Sequence, residues 1–324
     1  MDENMVSIIV CCYNSAHLLD DTLTHLANQH VTESLNYEVV LVDNNSTDNT
    51  ATIARTIWST LQTTVPLHIV AEPKAGLAYA REIGVKQSKG DLVIFCDDDN
   101  WLHKDYIQTA YSFMVANPDV AALGGASQGV LESDTPLWWD DMKKNYAVGE
   151  QALSSGDITH RGYVWGAGMV FRKALFMRLY DAGFVSMLSD RKGELLSSGG
   201  DSELCKWFII MGYKLWYLET LTFKHYITKK RLTDVYLEKL MAGHKASHNV
   251  LGLYNWFIKQ AISKEVDTIS VRKRLFYLKS AISKKLKNHV LWKPHLQIAL
   301  MYYYPTYPKL YTIINTYTRL KKMI

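Results

Sequence analysis

Apolar residues recur in short runs along the first hundred positions. Residues 6–12, 37–42, 67–71 and 91–96 are compact apolar stretches of strand length. The segments between them, up to position 29 and over 47–60 and 77–88, carry helical spacing. Short strands separated by helices predict right-handed βαβ crossovers and a Rossmann-like α/β fold, a mostly parallel central sheet flanked by helices. After a helix over 104–117 the pattern becomes mixed. A short strand at 120–124 precedes an irregular stretch, 126–160, that holds Trp138 and Trp139. The chain is then expected to return to the sheet over 162–171 and to form a helix over 173–182. A Ser- and Gly-rich loop over 188–200 leads to a helix at 201–211 and two late strands, 214–218 and 221–226. Beyond position 232 only helical spacing remains, broken near Pro294, Pro305 and Pro308. The expected organisation is therefore an α/β domain over 1–231 and a helical extension over 232–324.

Charge divides the chain in the same place. The net charge of +4 conceals 16 basic and 28 acidic residues up to position 223, a net of −12, and 20 and 4 from 224 on, a net of +16. From Val271 to the end there are 12 basic residues and no acidic one. Such a tail calls for an anionic partner or surface. Cys11, Cys12 and Cys96 fall in strands and Cys205 in a helix, with no zinc spacing, which predicts buried thiols in a reducing compartment. The acidic N-terminus running straight into a strand predicts no signal peptide. No apolar run reaches the roughly 18 residues that span a bilayer, so a cytoplasmic location is expected.

The candidate chemistry follows the fourth apolar run, where Cys96 leads into Asp97, Asp98, Asp99 and Asn100. Three adjacent carboxylates repel one another. Hard oxygen ligands of this kind suit Mg²⁺ or Mn²⁺, which typically bridge protein carboxylates to substrate phosphates. Open α/β sheets bind their ligands at the carboxyl ends of strands. A solvated acidic turn before the helix near Lys104 is the plain alternative. Neither G-x-G-x-x-G after the first strand nor G-x-x-x-x-G-K-[ST] anywhere is present, which argues against a dinucleotide dehydrogenase or a P-loop enzyme. A nucleotide would have to be held by side chains and a metal.

Residues 6–14, Leu41-Val42-Asp43-Asn44-Asn45-Ser46-Thr47-Asp48 and Gly90-Asp91-Leu92-Val93-Ile94-Phe95-Cys96-Asp97-Asp98-Asp99 resemble the nucleotide-site segments of the inverting family 2 glycosyltransferases. The likeness is to the bacterial surface-polysaccharide type, which has the GT-A fold. Gly76-Leu77-Ala78-Tyr79-Ala80-Arg81-Glu82-Ile83-Gly84 resembles a fourth segment, with Glu82 where the family usually has Asn. Trp165-Gly166-Ala167-Gly168-Met169 is similar to the acceptor-site strand. Gly199-Gly200-Asp201-Ser202-Glu203-Leu204 is similar to the segment carrying the catalytic base, with Gly200 replacing the usual Glu. The resemblance covers about residues 6–226.

It implies transfer of a sugar from a nucleotide-sugar donor, UDP-linked by preference, to a hydroxyl of a glycan or lipid-linked glycan. Asp99 would hold the Mn²⁺ or Mg²⁺ that offsets charge on the departing diphosphate, with His225 completing the metal shell. Asp98, or else Asp97, would meet the ribose; Asp43 would accept a hydrogen bond from the base, Tyr13 would stack on it, and Arg81 would face the pyrophosphate. Asp201 would take the proton of the acceptor hydroxyl. Trp165 and Gly166 would floor the acceptor sugar, Glu203 would bind its hydroxyls, and Arg191 would reach the diphosphate or acceptor. Each has a structural alternative: helix caps for Asp43 and Asp201, a surface cation for Arg81, core packing for His225 and the tryptophans. Two other functions compete. One is a catalytically silent GT-A-fold subunit that binds glycan or acts as a scaffold. The other is a sugar-phosphate nucleotidylyltransferase, which would want a Gly-rich, Arg/Lys-bearing loop after the first strand that this chain lacks.

Residues 271–293 mix Lys and Arg with Leu, Ile, Phe and Trp, and Tyr302-Tyr303-Tyr304 and Arg319-Leu320-Lys321-Lys322 add to both kinds. Basic amphipathic helices with aromatic anchors lie on anionic bilayers. Peripheral attachment to the inner face of the cell membrane is the expectation, with packing on the catalytic domain or on a second copy, a homo-oligomer, as the alternative. No nucleic-acid recognition motif is present, and no nucleic acid is expected as partner.

Overall fold

The computed structural model describes residues 4–188, 190–191, 198–262, 271–287, 296 and 308–323. They form two compact units, Met1–Met177 with Leu188–Ser247 and Arg178–Met187 with His248–Ile324.

In the first unit the strands β1 (Met5–Cys12), β2 (Asn36–Asp43), β3 (Leu67–Ala71) and β4 (Leu92–Asp97) alternate with the helices α1 (Leu19–Ala27), α2 (Thr50–Thr60) and α3 (Leu77–Gln87). β1 pairs in parallel with both β2 and β4, and β2 with β3. Helices cover the sheet on both faces, so these strands are continuous apolar runs rather than alternating ones. Ile8, Val10, Val39, Leu41 and Ile94 are buried with Leu19, Leu23 and Leu26 of α1 in one core. Each such side chain stabilises the fold by about 1.5–3 kcal/mol.

A short strand β5 (Asn100–Leu102) and helix α4 (Tyr106–Ala116) follow, then β6 (Val120–Leu131), a one-turn helix α5 (Trp139–Met142), β7 (Gly156–Asp157), β8 (Val170–Arg172), helices α6 (Lys173–Asp181) and α7 (Gly200–Ile210), and β9 (Lys214–Ile227). The sheet order is β3-β2-β1-β4-β8-β6-β9-β5, with β7 also on β9. β8 runs antiparallel to β4 and β6, and β5 antiparallel to β9, so the parallel half carries a mixed half beside it. Trp139 belongs to a second small core with Tyr146, Val148, Ile227, Leu232 and Leu240, and Trp138 donates its indole N–H to Asp234 Oδ1 (2.6 Å). Core packing therefore accounts for the tryptophan pair.

Several boundaries differ from those read off the chain. The two late strands are one, because Glu219 and Thr220 stay extended while the register against β6 shifts between Gly124 and Ala126. β6 likewise runs through the Gly124-Gly125 pair that reads as a strand end. A Cβ on Gly125 would overlap the Leu221 carbonyl oxygen, so the glycine is what lets the bulged strands close. Helix α2 starts at Thr50 rather than 47, because Asp48 Oδ1 accepts the Thr50 N–H (3.0 Å) and the preceding turn is used elsewhere. The return to the sheet expected over 162–171 is confined to the three residues of β8. β5 has no counterpart in the apolar pattern at all.

The helix α8 (Asp234–Ile262) starts in the first unit and ends in the second. The second unit also holds α9 (Val271–Leu286) and α10 (Pro308–Lys322). Phe257 meets Tyr317 edge-on at 5.1 Å and Trp256 meets Tyr277 at 6.2 Å, with Ala281, Ile313 and Leu320 buried. No helix among the described residues is long and apolar enough to cross a membrane.

Replacing Gly125 by Ala is expected to cost at least about 3 kcal/mol in urea unfolding, since two backbones cannot part to admit the methyl group. Gly156→Ala, where a Cβ meets nothing within 4 Å, is the matched control and is expected to unfold within about 0.5 kcal/mol of the parent.

Candidate active site

The carboxyl ends of β1, β2 and β4 form one edge, and side-chain amides lace its loops together. Asn14, at φ 55°, accepts the Thr47 and Asp48 N–H groups on Oδ1 (2.7 and 3.3 Å), and its own N–H donates to Ser46 Oγ (3.0 Å). Asn44 donates to the carbonyls of Glu72 and Lys74 and accepts the Gly76 N–H (2.8 Å), which ties the end of β2 to the start of α3. Asp43 Oδ1 accepts the Ser46 N–H (3.1 Å), so the carboxylate shapes this turn rather than capping α2. Tyr13 stands 50% exposed at the same edge.

The acidic run occupies the tight turn between β4 and β5. Asn100 pairs with His225 in the antiparallel ladder, and the Tyr226 N–H donates to the Asp99 carbonyl (2.8 Å). That pairing sets His225 Nε2 3.3 Å from Asp99 Oδ1, which also accepts from Asn100 Nδ2 (3.0 Å). Asp99 Oδ2 accepts from Arg231 NH1 at 2.5 Å. Burial alone would raise the Asp99 carboxyl, but His225 and Arg231 reverse this and hold it well below the usual carboxylate range. The neighbouring Asp98 behaves oppositely: burial, with Asp99 beside it, pushes its carboxyl up to about 7, although Ser15 Oγ donates to it.

A second cluster adjoins the first through Arg81 on α3. Its guanidinium lies 4.0 Å from Asp97 Oδ1 and 3.6 Å from Asp190 Oδ2, and stacks over the Phe95 ring at 4.7 Å. Burial works against its charge, but Asp190, Asp97 and Asp201 outweigh burial and keep it above its ordinary value. Asp201, in the first turn of α7, accepts the Gly166 N–H on Oδ2 (2.7 Å) and the Ser202 N–H on Oδ1 (2.7 Å). Gly166 permits this approach, because a Cβ there would stand 2.7 Å from Arg81 NH2 and 3.2 Å from Asp201 Oδ2. A Cβ on Gly200 would lie 2.5 Å from Asp190 Oδ2. Asp190 thus fills the space beside the position where the resembled segment has Glu.

Glu203 is fully buried in the first turn of α7. Trp165 is 8% exposed, with Arg161 5.2 Å from its ring and Gln151 Oε1 accepting its backbone N–H. Arg191 is exposed, and its carbonyl accepts the Leu77 N–H (3.1 Å); residues 192–197 of that loop lie outside the described residues. Arg231, Asp190, Asn14 and Asn44 were not singled out in the sequence. For the two asparagines, their place within two residues of a strand end was a usable signal; for Arg231 and Asp190 there was none.

The donor set fits a divalent cation. Asp99 is held ionised, and the His225 imidazole faces the same point with its far Nδ1 buried and unpartnered. Among the described residues no three His, Cys, Asp or Glu side chains converge. The protein would therefore offer Asp99 and His225, leaving the other positions to phosphate oxygens and water, as is usual for Mg²⁺. Arg231 would have to leave Asp99 Oδ2.

The family model described as glycosyl transferase family 2 matches residues 7–179. The chain is 25% identical to glycosyltransferase GlyA of Streptococcus pneumoniae over 247 residues, 74% of this chain and 33% of that protein. It spans less than half the length of the first curated relatives it matches. The crystal structure of Staphylococcus aureus TarS 1–349 in complex with UDP-GlcNAc superimposes with a TM-score of 0.55 at 17% identity, covering 98% of this chain and 89% of that one. The mannosyltransferase PcManGT of Pyrobaculum calidifontis, in complex with GDP-Man and Mn²⁺, gives 0.53 at 18% identity, covering 98% and 86%. These likenesses carry the fold, GT-A; the family rests on the match over more than half of the sequence. The chain belongs to glycosyl transferase family 2.

Proposed function

We propose that the protein is a metal-dependent inverting glycosyltransferase. It moves a sugar from a nucleotide donor, UDP-linked by preference, to a hydroxyl of a glycan or lipid-linked glycan in cell-surface polysaccharide synthesis. The catalytic domain spans 1–231 and the basic helices lie beyond it. The observation that carries this reading is the meeting of two clusters on one sheet edge, Asp99 with His225 and Asp201 with Gly166, joined by Arg81 beside Asp97.

Tyr13 and Asp43 take the base, Asp98 the ribose, and Asp99 and His225 the cation. That Mn²⁺ or Mg²⁺, when bound, supplies positive charge against the leaving diphosphate. Arg81 adds a fixed cation there, held by Asp190 so that it costs no reorganisation. Arg191, exposed at the mouth of its loop, reaches the diphosphate or the acceptor. Asp201 Oδ2, oriented by the Gly166 N–H, takes the acceptor's proton. Gly166, with no side chain to press on Arg81 or Asp201, brings its backbone close to the carboxylate and lines the acceptor side of the site.

The C-terminal helices are read as a handle for an anionic membrane surface at the cytoplasmic face. Leu275, Ile282 and Leu286 of α9 are exposed and spaced to share one face, with Lys279 among them. No acidic residue from Val271 onward opposes the attraction.

Asp201→Asn is expected to lower kcat by at least about 10³-fold while calorimetry still records nucleotide binding. Asp99→Ala is expected to abolish Mn²⁺-dependent binding of UDP or GDP. Full activity in Asp201→Asn would remove it as the base, and a product that keeps the donor's anomeric configuration, read by NMR, would refute inversion. Exchanging Lys279 and Lys287 for Glu in the full chain is expected to weaken sedimentation with phosphatidylglycerol vesicles at least about tenfold, each cation near the surface contributing about 1 kcal/mol. Equal pelleting of parent and variant would rule the handle out.

A further inference from the structure

Arg231 has no part in the function proposed above, yet it makes the closest contact to Asp99. Its NH1 donates to Asp99 Oδ2 and stands 3.4 Å from His225 Nε2, and the two side chains are 12% and 9% exposed. A carboxylate withdrawn from water beside Asp97 and Asp98 requires a cation close by. Arg231 supplies it, but through an incomplete pairing. One nitrogen makes the contact, and its Nε is buried with no acceptor. A guanidinium built into a lasting carboxylate pair engages two donors in a fork and leaves none stranded.

The backbone beneath this side chain is held firmly. The Arg231 N–H donates to the Thr228 carbonyl (2.8 Å), its carbonyl accepts the Tyr146 hydroxyl (3.0 Å), and the Lys229 N–H donates to Glu132 Oε2 (2.6 Å). The guanidinium is a long arm on a fixed post. The rings of Tyr146 and Tyr236 lie 5.9 and 5.8 Å from its carbon, a cation–π surface it already touches while paired with Asp99.

We propose that Arg231 is the resident counter-cation of Asp99 in the donor-free protein, displaced only when a divalent cation arrives together with a nucleoside diphosphate. The reason is electrostatic. A bare dication approaching Asp99 meets the guanidinium as a like charge at short range. A dication carried on a diphosphate has its charge cancelled on a nucleotide-sugar and reversed on UDP or GDP, so the repulsion is removed and the phosphate oxygens offer Arg231 a new partner as it gives up its carboxylate. The site thereby admits the cation as part of the donor and excludes it alone. This inference rests on the reading that Asp99 and His225 hold the metal.

The test is Mn²⁺ binding by the full chain, read from the electron paramagnetic resonance signal of the free ion, alone and with UDP or GDP. Arg231→Gln is expected to bind bare Mn²⁺ at least about tenfold more tightly than the parent, and to lose most of the enhancement that nucleotide confers. Arg231→Lys, which keeps the charge, is expected to stay within about threefold of the parent. Bare Mn²⁺ affinity unchanged or lower in Arg231→Gln, with nucleotide-dependent Mn²⁺ binding intact in the parent, overturns the inference and leaves the metal reading standing. No Mn²⁺ bound by the parent with either nucleotide, and none by Arg231→Gln, overturns both. Should Arg231→Gln fail to fold, the parent decides by NMR. Its Arg231 Nε–H resonance, identified by its loss in Arg231→Lys, is expected to move with Mg²⁺ plus nucleotide and not with Mg²⁺ alone. A resonance that moves equally with Mg²⁺ alone overturns the inference.

Discussion

The site depends on neutralising one buried carboxylate. Asp99 sits in a turn with two other acids and little water, where an uncompensated charge would be costly enough to unfold the turn or protonate the group. The three residues of β5, laid antiparallel on β9, solve the problem by bringing His225 opposite Asn100. The chain that leaves β9 then returns Arg231 to the other carboxylate oxygen. Everything proposed for the donor depends on this small piece of sheet, because it leaves Asp99 ionised and fixed in direction within a repulsive run of acids.

Arg81 performs the corresponding task between the two halves of the site. A guanidinium buried on α3 could not keep its charge without carboxylates near it, and those that surround it, Asp190, Asp97 and Asp201, come from three separate elements. The same ion cluster that stabilises Arg81 therefore fixes the distance between the donor edge and the candidate base. Glycine at 166 and 200 is the steric condition for such closeness, since a methyl group at either place would press on Arg81 or Asp190. At Gly200 the backbone carries no side chain, and Asp190 Oδ2 occupies the space that a Cβ there would need.

Much of this was legible in the chain. The four parallel strands could be read because each is buried on both faces and so is apolar throughout. The acidic run, Asp43 and Asp201 could be read because each lies in a contiguous segment at a strand or helix end. β5 was missed because three residues carry no periodicity, and the unbroken β9 was missed because Glu219 and Thr220 imitate a turn. The burial of Glu203 and Trp165 was not legible, because it depends on which face of α7 or of the preceding loop meets the core.

The sequence by itself determined the α/β alternation, the carboxyl edge that gathers the acids, and the basic tail, because these follow from local hydrophobic period and local charge. Only the tertiary structure decided which cations answer those acids. Arg231 lies 132 residues from Asp99 along the chain, and Asp190 stands far from Arg81 in the same way. Pairings of that span are set by how the strands order themselves in the sheet and by where glycine lets two backbones approach, and neither is written in any window of neighbouring residues.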